Sequence, residues 1–321
     1  MPRVLVVADA PGWAWERKGN AYKHWLDGFD VEVAFQTQGL PPFLEFDLVH
    51  CFEFPQTRFV PDDYRARGGK VVTGVTANVW RTWGVDQVRA WGLRADGIHA
   101  NSYSLFREVS DEIFRHRADP PVFYCPNGVE VDDWTRATPH PSSLVAGHVG
   151  KPNLRKGAPI IIEACRRTDV PVKIIQRTAK LAYGAPAMRI FYEGVSLQLT
   201  ASNMDGTPNP MLESACYENA LLSTPIGNMP DLIEAGVNGF LLPPLVAPLQ
   251  ATPTYSSQQQ IEENKELIDA FVEHLDWMKW HYAKVLEMGR EARRSIVKDW
   301  TWEHQSRHVA GMWRTVLGGG A

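Results

Sequence analysis

Apolar positions fall into short, nearly continuous runs separated by longer amphipathic stretches. Runs of this kind, rich in β-branched residues and bounded by Gly, Pro or Asp, read as strands buried on both faces. Their alternation with helical stretches is the pattern of parallel α/β layers. In the first half the predicted strands are RVLVVA, VEVAF, FDLVHCF, KVVTGVT, GIHANS and VFYCP. The segment TRATPHPSS, residues 135 to 143, is polar and Pro-containing and reads as a linker. A second series follows, with strands LVAGHVG, VPVKIIQ, SLQLTAS, ALLSTPIG and GFLLPP, and helices from about Gly157 to Thr168 and Pro210 to Tyr217. The tail from about Gln258 to Leu317 is helical and ends in the Trp-rich KDWTWEHQSRHVAGMW. The pattern predicts two Rossmann-like halves: an N-terminal domain over 1–138, a C-terminal domain over 139–299, and a last helix at about 300–317 that packs back on the first.

Composition adds bounds. With 321 residues, 44% hydrophobic and 22% charged, the chain is long enough for two ordinary domains. The formal net charge of −4 gives no basic footprint for nucleic acid and no polybasic membrane anchor. Cys51, Cys125, Cys165 and Cys216 are widely spaced, with no Cys-x-x-Cys and no His partner at metal spacing, so reduced core thiols are expected and no zinc site. MPRVLVVADAPG reads as a strand and loop rather than a signal peptide, and no apolar run approaches the length of a membrane span. A cytoplasmic protein is expected.

Two Rossmann-like halves raise the possibility of a dinucleotide enzyme. The first strand is followed by ADAPGWAWERKGNAY, which supplies only Gly12 and Gly19 and no G-x-G-x-x-G, so a nicotinamide or flavin site is not indicated. The candidate anion chemistry lies in the second half, in two pieces. In QLTASNMDGTPNPMLESACYENALLSTPIGN, residues 198 to 228, a strand runs into a tight loop and a helix. Asn209 is the expected N-cap and Pro210 the first helical residue, so free N–H groups at the positive end of a helix dipole would face the loop. In GHVGKPNLRKG a strand ends at Gly150 and is followed by Lys151, Arg155 and Lys156. Either piece alone is as well explained by a solvated surface. Together, at strand ends of one sheet, they favour a bound anion, because open α/β sheets take ligands at the carboxyl ends of their strands.

These residues carry a family resemblance. Asp205-Gly206-Thr207-Pro208-Asn209-Pro210-Met211-Leu212-Glu213 resembles the acid-x7-Glu signature of the retaining glycosyltransferases of family 4. PNGVEVDDW, GHVGKPNLRKG, LIEAGVNGFLLPP and DWTWEHQSR resemble further segments of that family in order and spacing. The resemblance implies a GT-B fold: two Rossmann-like α/β/α domains facing each other across a cleft, with a C-terminal crossover helix. It implies a nucleoside-diphosphate sugar as donor substrate, with no cofactor and no metal required, and a glycan, lipid-linked or small-molecule acceptor. By the same resemblance Lys151 and Lys156 hold the diphosphate and Asp205 faces the donor sugar. Asp205 is one methylene shorter than the family's more usual Glu. Glu213 reads the ribose, and Gly150, Arg155, Gln176, Arg177 and the backbone of Gly206, Thr207 and Asn209 complete the donor site. Stabilisation of the departing nucleoside diphosphate would be the main catalytic effect.

The first half departs from the family pattern. Where many relatives have a His at the end of the strand matching KVVTGVTANVW, this chain has Thr76. His50, ending FDLVH, is the alternative, against a buried histidine satisfied by backbone. Trp13 and Trp15 follow the first strand beside a Gly and would lie on the acceptor side, whereas Trp80, Trp83, Trp91, Tyr22 and Trp25 read as packing. Two other readings stand beside the main one. The first is transfer to a modified nucleic-acid base, which the Trp content permits and the negative charge disfavours. The second is a non-catalytic sugar-nucleotide-binding subunit, suggested by Thr76 and Asp205.

Overall fold

The computed structural model describes residues 1–12, 14–151, 153–176, 186–248 and 255–318. Eleven strands form where the apolar runs predict them: β1 Arg3–Ala8, β2 Asp30–Phe35, β3 Leu48–Cys51, β4 Lys70–Val75, β5 Gly97–Ala100, β6 Val122–Tyr124, β7 Ala146–Gly150, β8 Val172–Gln176, β9 Leu197–Thr200, β10 Ala220–Ser223 and β11 Gly239–Leu241. They make two parallel sheets, ordered β2-β1-β3-β4-β5-β6 and β11-β10-β9-β7-β8. The chain separates into two compact units, Met1–Gly128 with Trp302–Ala321, and Val129–Thr301.

In the first unit β1, β3, β4 and β5 are almost wholly buried, as strands covered on both faces must be. One face is covered by the helix Ala14–Trp25 and the closing helix Trp302–Val316, and Tyr22, Leu26, Phe52, Val309 and Trp313 pack in one cluster. Trp302 thus lies in the first unit's core, and Trp300 in a core cluster of the second unit. Trp80 is buried and Trp83 stacks edge-on against Trp91 at 5.7 Å, so these rings are packing.

In the second unit the sheet is covered on one side by helices Ala158–Thr168 and Lys265–Trp280 and on the other by Asn209–Cys216 and Tyr282–Asp299. The segment 135 to 143, read from its composition as a linker, belongs to this unit. The reason is one side chain. The Arg136 guanidinium donates to the carbonyls of Tyr217 at 2.7 Å, Glu193 at 2.8 Å, and Tyr192 and Val195 at 2.9 Å. Carbonyls left over where the helix Pro186–Glu193 ends are thereby satisfied by a planar cation, which fixes the segment in place.

Candidate functional site

In the second sheet β8 lies to one side of β7 and β9 to the other, so the strand order reverses between β7 and β9. A switch of this kind, at the carboxyl ends of the strands, is the place where open α/β sheets bind ligands. Both sequence-predicted pieces meet at this point. Gly150 closes β7, and its loop reaches Lys156 at the end of a short turn, Leu154–Lys156. Gly157 follows with φ of 62°, and a Cβ there would stand 2.3 Å from the Ala201 carbonyl oxygen, so a glycine is what lets the β7 loop lie against the β9 loop.

The Lys156 ammonium then reaches across. It donates to the Met204 carbonyl at 3.1 Å and the Ser202 hydroxyl at 3.4 Å, and it pairs with the Asp205 carboxylate. The side chains of Lys156 and Asp205 keep 19% and 24% exposure, so an incoming ligand can reach the pair. Arg155 lies beside them, its guanidinium 3.0 Å from the Met204 sulfur and its carbonyl accepting the Asn203 N–H at 3.1 Å. Lys151 stands exposed at the start of the loop, and Gln176, at the end of β8, is the register partner of Gly150. Arg177 lies outside the described residues.

The helix start differs from expectation. The helix is Asn209–Cys216, Pro208 precedes it, Pro210 occupies the first turn, and no side chain caps it. The Asn209 N–H donates to the Thr207 carbonyl at 2.9 Å and the Met211 N–H to Pro208 at 2.8 Å, while Pro210 has no N–H to offer. Asn209 is therefore neither the N-cap nor an open donor. Gly206, whose N–H makes no hydrogen bond among the described residues, is left as the loop's backbone donor.

Four contributors are not identified by the sequence. Asn228 donates its backbone N–H to the Gly206 carbonyl and its side-chain amide to the Thr207 hydroxyl, both at 3.0 Å, and so fixes the loop from behind. Gly227, with φ of 57°, permits this approach, since a Cβ there would lie 2.0 Å from the Gly206 oxygen. Gly227→Ala is accordingly expected to cost about 2–4 kcal/mol, strain and backbone clash together, read as a lower urea midpoint at unchanged slope. Tyr192 is fully buried and donates at 2.8 Å to Glu213, itself only 1% exposed, so the predicted ribose-reading acid sits one turn behind the loop in a hydrogen-bonded pocket. His148, on β7 beneath Lys156, donates Nδ1–H to the Leu199 carbonyl. Burial, with the Lys156 charge, pushes His148 down to about 4 against the pull of that bond, so it is neutral at ordinary pH. The signals available for these four were Gly-Asn after a strand and an aromatic at the end of an apolar helix, neither of which names a partner.

In the first unit the order reverses between β1 and β3. Thr76, just past β4, donates to Glu53 at 2.6 Å, and Glu53 caps the turn Phe54–Phe59 that follows β3. His50 does not face solvent. It is fully buried, accepts the Trp313 indole N–H at 3.1 Å rather than a backbone group, and is held well below its ordinary pKa by burial and then by Lys18. His50 thus sits in an aromatic layer with Tyr22, Phe52, His99 and Trp313. Trp15 is half-buried with its ring 5.7 Å from Phe52, which makes it packing at least in part; Trp13 lies outside the described residues. Among the described residues no group of His, Cys, Asp and Glu is arranged to hold a metal, and no helix is long and apolar enough to cross a membrane.

Solved structures share this architecture. Sucrose-phosphate synthase from Thermosynechococcus elongatus superposes with a TM-score of 0.73 at 10% identity over all of both chains. HepE from Anabaena, solved with UDP and glucose, gives 0.70 at 14% identity over 98% of this chain and all of that one. A glycosyltransferase from Rickettsia africae gives 0.64 at 12% identity over 99% of each. No protein-family model and no curated protein sequence matches the chain. At such identities the likeness speaks for architecture. The chain has the GT-B fold seen in these glycosyltransferases.

Proposed function

We propose that this protein is a retaining glycosyltransferase of the family 4 type, which moves a sugar from a nucleoside-diphosphate sugar to a glycan, lipid-linked or small-molecule acceptor. One observation carries the reading: at the switch point of the second sheet, Lys156 and Arg155 both reach the Met204–Asp205 stretch of the β9 loop, the Gly206 N–H next to it makes no hydrogen bond among the described residues, and Glu213 is held one turn behind. Such a set of donors suits a diphosphate. Breaking the anomeric C–O bond places new negative charge on the leaving nucleoside diphosphate, and cations positioned beforehand stabilise that charge more than the ground state. Lys156 is the main electrostatic group, and a bound diphosphate would take its ammonium from Asp205, freeing that carboxylate to meet the sugar. Attack on the face the leaving group departs from needs no protein nucleophile. The GT-B neighbours supply the donor class to test first, since one of them was solved with UDP and glucose. Four buried free thiols accord with a cytoplasmic setting.

Glu213→Gln keeps an acceptor for the Tyr192 hydroxyl, so folding should survive while ribose recognition weakens. The expected result is a rise of roughly 5–30-fold in the donor dissociation constant, matching about 1–2 kcal/mol for a hydrogen bond to a charged group, with a smaller change in turnover. Calorimetry beside initial rates separates the two. Asp205→Asn should do the reverse. The activity itself is tested with a panel of nucleotide sugars, scored first by thermal shift and then by release of nucleoside diphosphate with and without candidate acceptors. Stabilisation by no nucleotide sugar would sink the reading.

A further inference from the structure

The second unit carries a concavity of about 370 Å³ away from the proposed donor site, lined by Glu218, Arg290, Arg293, Arg294, Val297 and Lys298. Four cations and one acid line it, in a chain whose net charge is negative. Three features distinguish it from an ordinary solvated helix face. The first is backbone shape: Glu218 adopts φ of 58°, a left-handed conformation, and the helix Tyr282–Asp299 lies against it through Gly289, where a Cβ would be 1.8 Å from the Glu218 oxygen. The wall of the concavity is therefore fixed by close backbone contact. The second is Arg293, half-buried, which donates Nη1 to the carbonyls of Trp134 and Cys216 and is thereby held in place with its other N–H groups uncommitted. The third is Arg290, exposed and without a hydrogen bond or ion pair among the described residues, at the same wall. Among the described residues Arg294 and Lys298 pair with Glu291 and Asp299 at the solvent edge, at 67% and 80% side-chain exposure, contacts that water screens and a stronger anion displaces.

We infer that this concavity is a second anion site, built for a phosphate ester. Arginine forks at a fixed and a free position suit the bidentate recognition of phosphate oxygens. The site is separate from the proposed donor crevice and does not depend on that reading. The phosphate ester could be a soluble one or the headgroup of a lipid such as phosphatidate, and the chemistry on the protein side is the same.

The test uses the full chain and two probes: inorganic pyrophosphate by calorimetry, and vesicles of phosphatidylcholine with or without phosphatidate by sedimentation. The variants are Arg290→Gln with Arg294→Gln, both exposed and so compatible with folding, and Lys156→Ala as the control that touches only the crevice. Loss of about fivefold or more in pyrophosphate affinity in the double variant, retained in Lys156→Ala, supports the site with a soluble ligand. Pelleting with phosphatidate vesicles alone, lost in the double variant, supports it with a lipid headgroup. If the double variant binds both probes as the parent does, or if all pyrophosphate binding vanishes with Lys156→Ala and no vesicle binding exists, the site is not there.

Discussion

Lys156→Ala is expected to lower turnover of the donor sugar nucleotide by about 10²–10³-fold, the effect of removing one preplaced stabiliser of developing charge. The expectation rests on position. Lys156 is the residue through which the β7 loop reaches the β9 loop, touching Met204, Ser202 and Asp205 at once. Its loss removes a cation from the place where negative charge would develop and leaves Asp205 there with no counter-ion. Asp205 retains exposure, so water can solvate it and the fold should hold. Donor binding should weaken less than turnover, by about 1–3 kcal/mol, because a charge-assisted contact also exists in the ground state. Lys156→Arg should recover part of the loss. Initial rates and calorimetry on the same preparations check both, and a loss of affinity with turnover at saturating donor unchanged would assign Lys156 to binding alone.

The second large effect is on stability against pH. Lys18 is 1% exposed in the core of the first unit, with Asn101 as its hydrogen-bond partner at 2.6 Å and the Phe52 ring 5.3 Å from its nitrogen. Among the described residues no carboxylate pairs with it, and burial pushes its ammonium from 10.5 down to about 7. Around it stand His50 and His99, both held well below their ordinary pKa chiefly by burial, with Tyr22 and Cys125 pushed up by the same cause. The helix Trp302–Val316 contributes the Trp313 indole to this layer. The sign follows. A folded state that prefers neutral Lys18 is most stable above the unfolded value, and that stability is lost as pH falls from 10.5 to about 7, by roughly 4–5 kcal/mol at 1.36 kcal/mol per unit. Below about 6.5 the two histidines add a further loss, because the unfolded chain takes up protons that the folded core refuses. Above about pH 8 the buried thiols oppose this, since burial pushes Cys51, Cys125, Cys165 and Cys216 from 9.0 up to about 12 and the unfolded chain gives up protons that the folded core keeps. Melting temperatures should therefore rise between pH 5 and 8. Lys18→Met, similar in volume and never charged, should flatten the rise between pH 7 and 8 and leave the limb below 6.5. An unaltered slope in that variant would place the dependence elsewhere.

These two expectations differ in how far the sequence discloses them. Strands buried on both faces, such as β1, β3 to β5, β7, β9 and β10, write themselves as apolar, largely β-branched runs, and the edge strands β2, β6 and β8 are legible by the same pattern. The loops at the second sheet's switch point are legible as well, because two cation- or helix-start-bearing loops leave neighbouring strands of one sheet, although each alone reads as ordinary surface. What positions those loops is not legible: Asn228 behind Gly206, Tyr192 behind Glu213 and His148 beneath Lys156 are contacts between segments far apart in the chain. Arg136 shows the same limit, since nothing local separates a linker from a strand of chain tied down by one guanidinium. Lys18 is the extreme case. A lysine on an amphipathic helix reads as solvated, and only the packing of the closing helix over β1 and β3 reveals it as buried. The helix start at Asn209 rather than Pro210 is a smaller miss with a chemical consequence, because it turns a presumed anion donor into a partner of Thr207.

The central claim is that the crevice between the β7 and β9 loops binds a nucleoside diphosphate. Calorimetric titration of UDP into the full chain, run in parallel on Lys156→Ala, addresses it most directly. A single exothermic site is expected on the parent protein, with an affinity about 5–150-fold lower in the variant, the range that about 1–3 kcal/mol covers. Binding of equal strength to both proteins, or no binding to a folded parent, would contradict it.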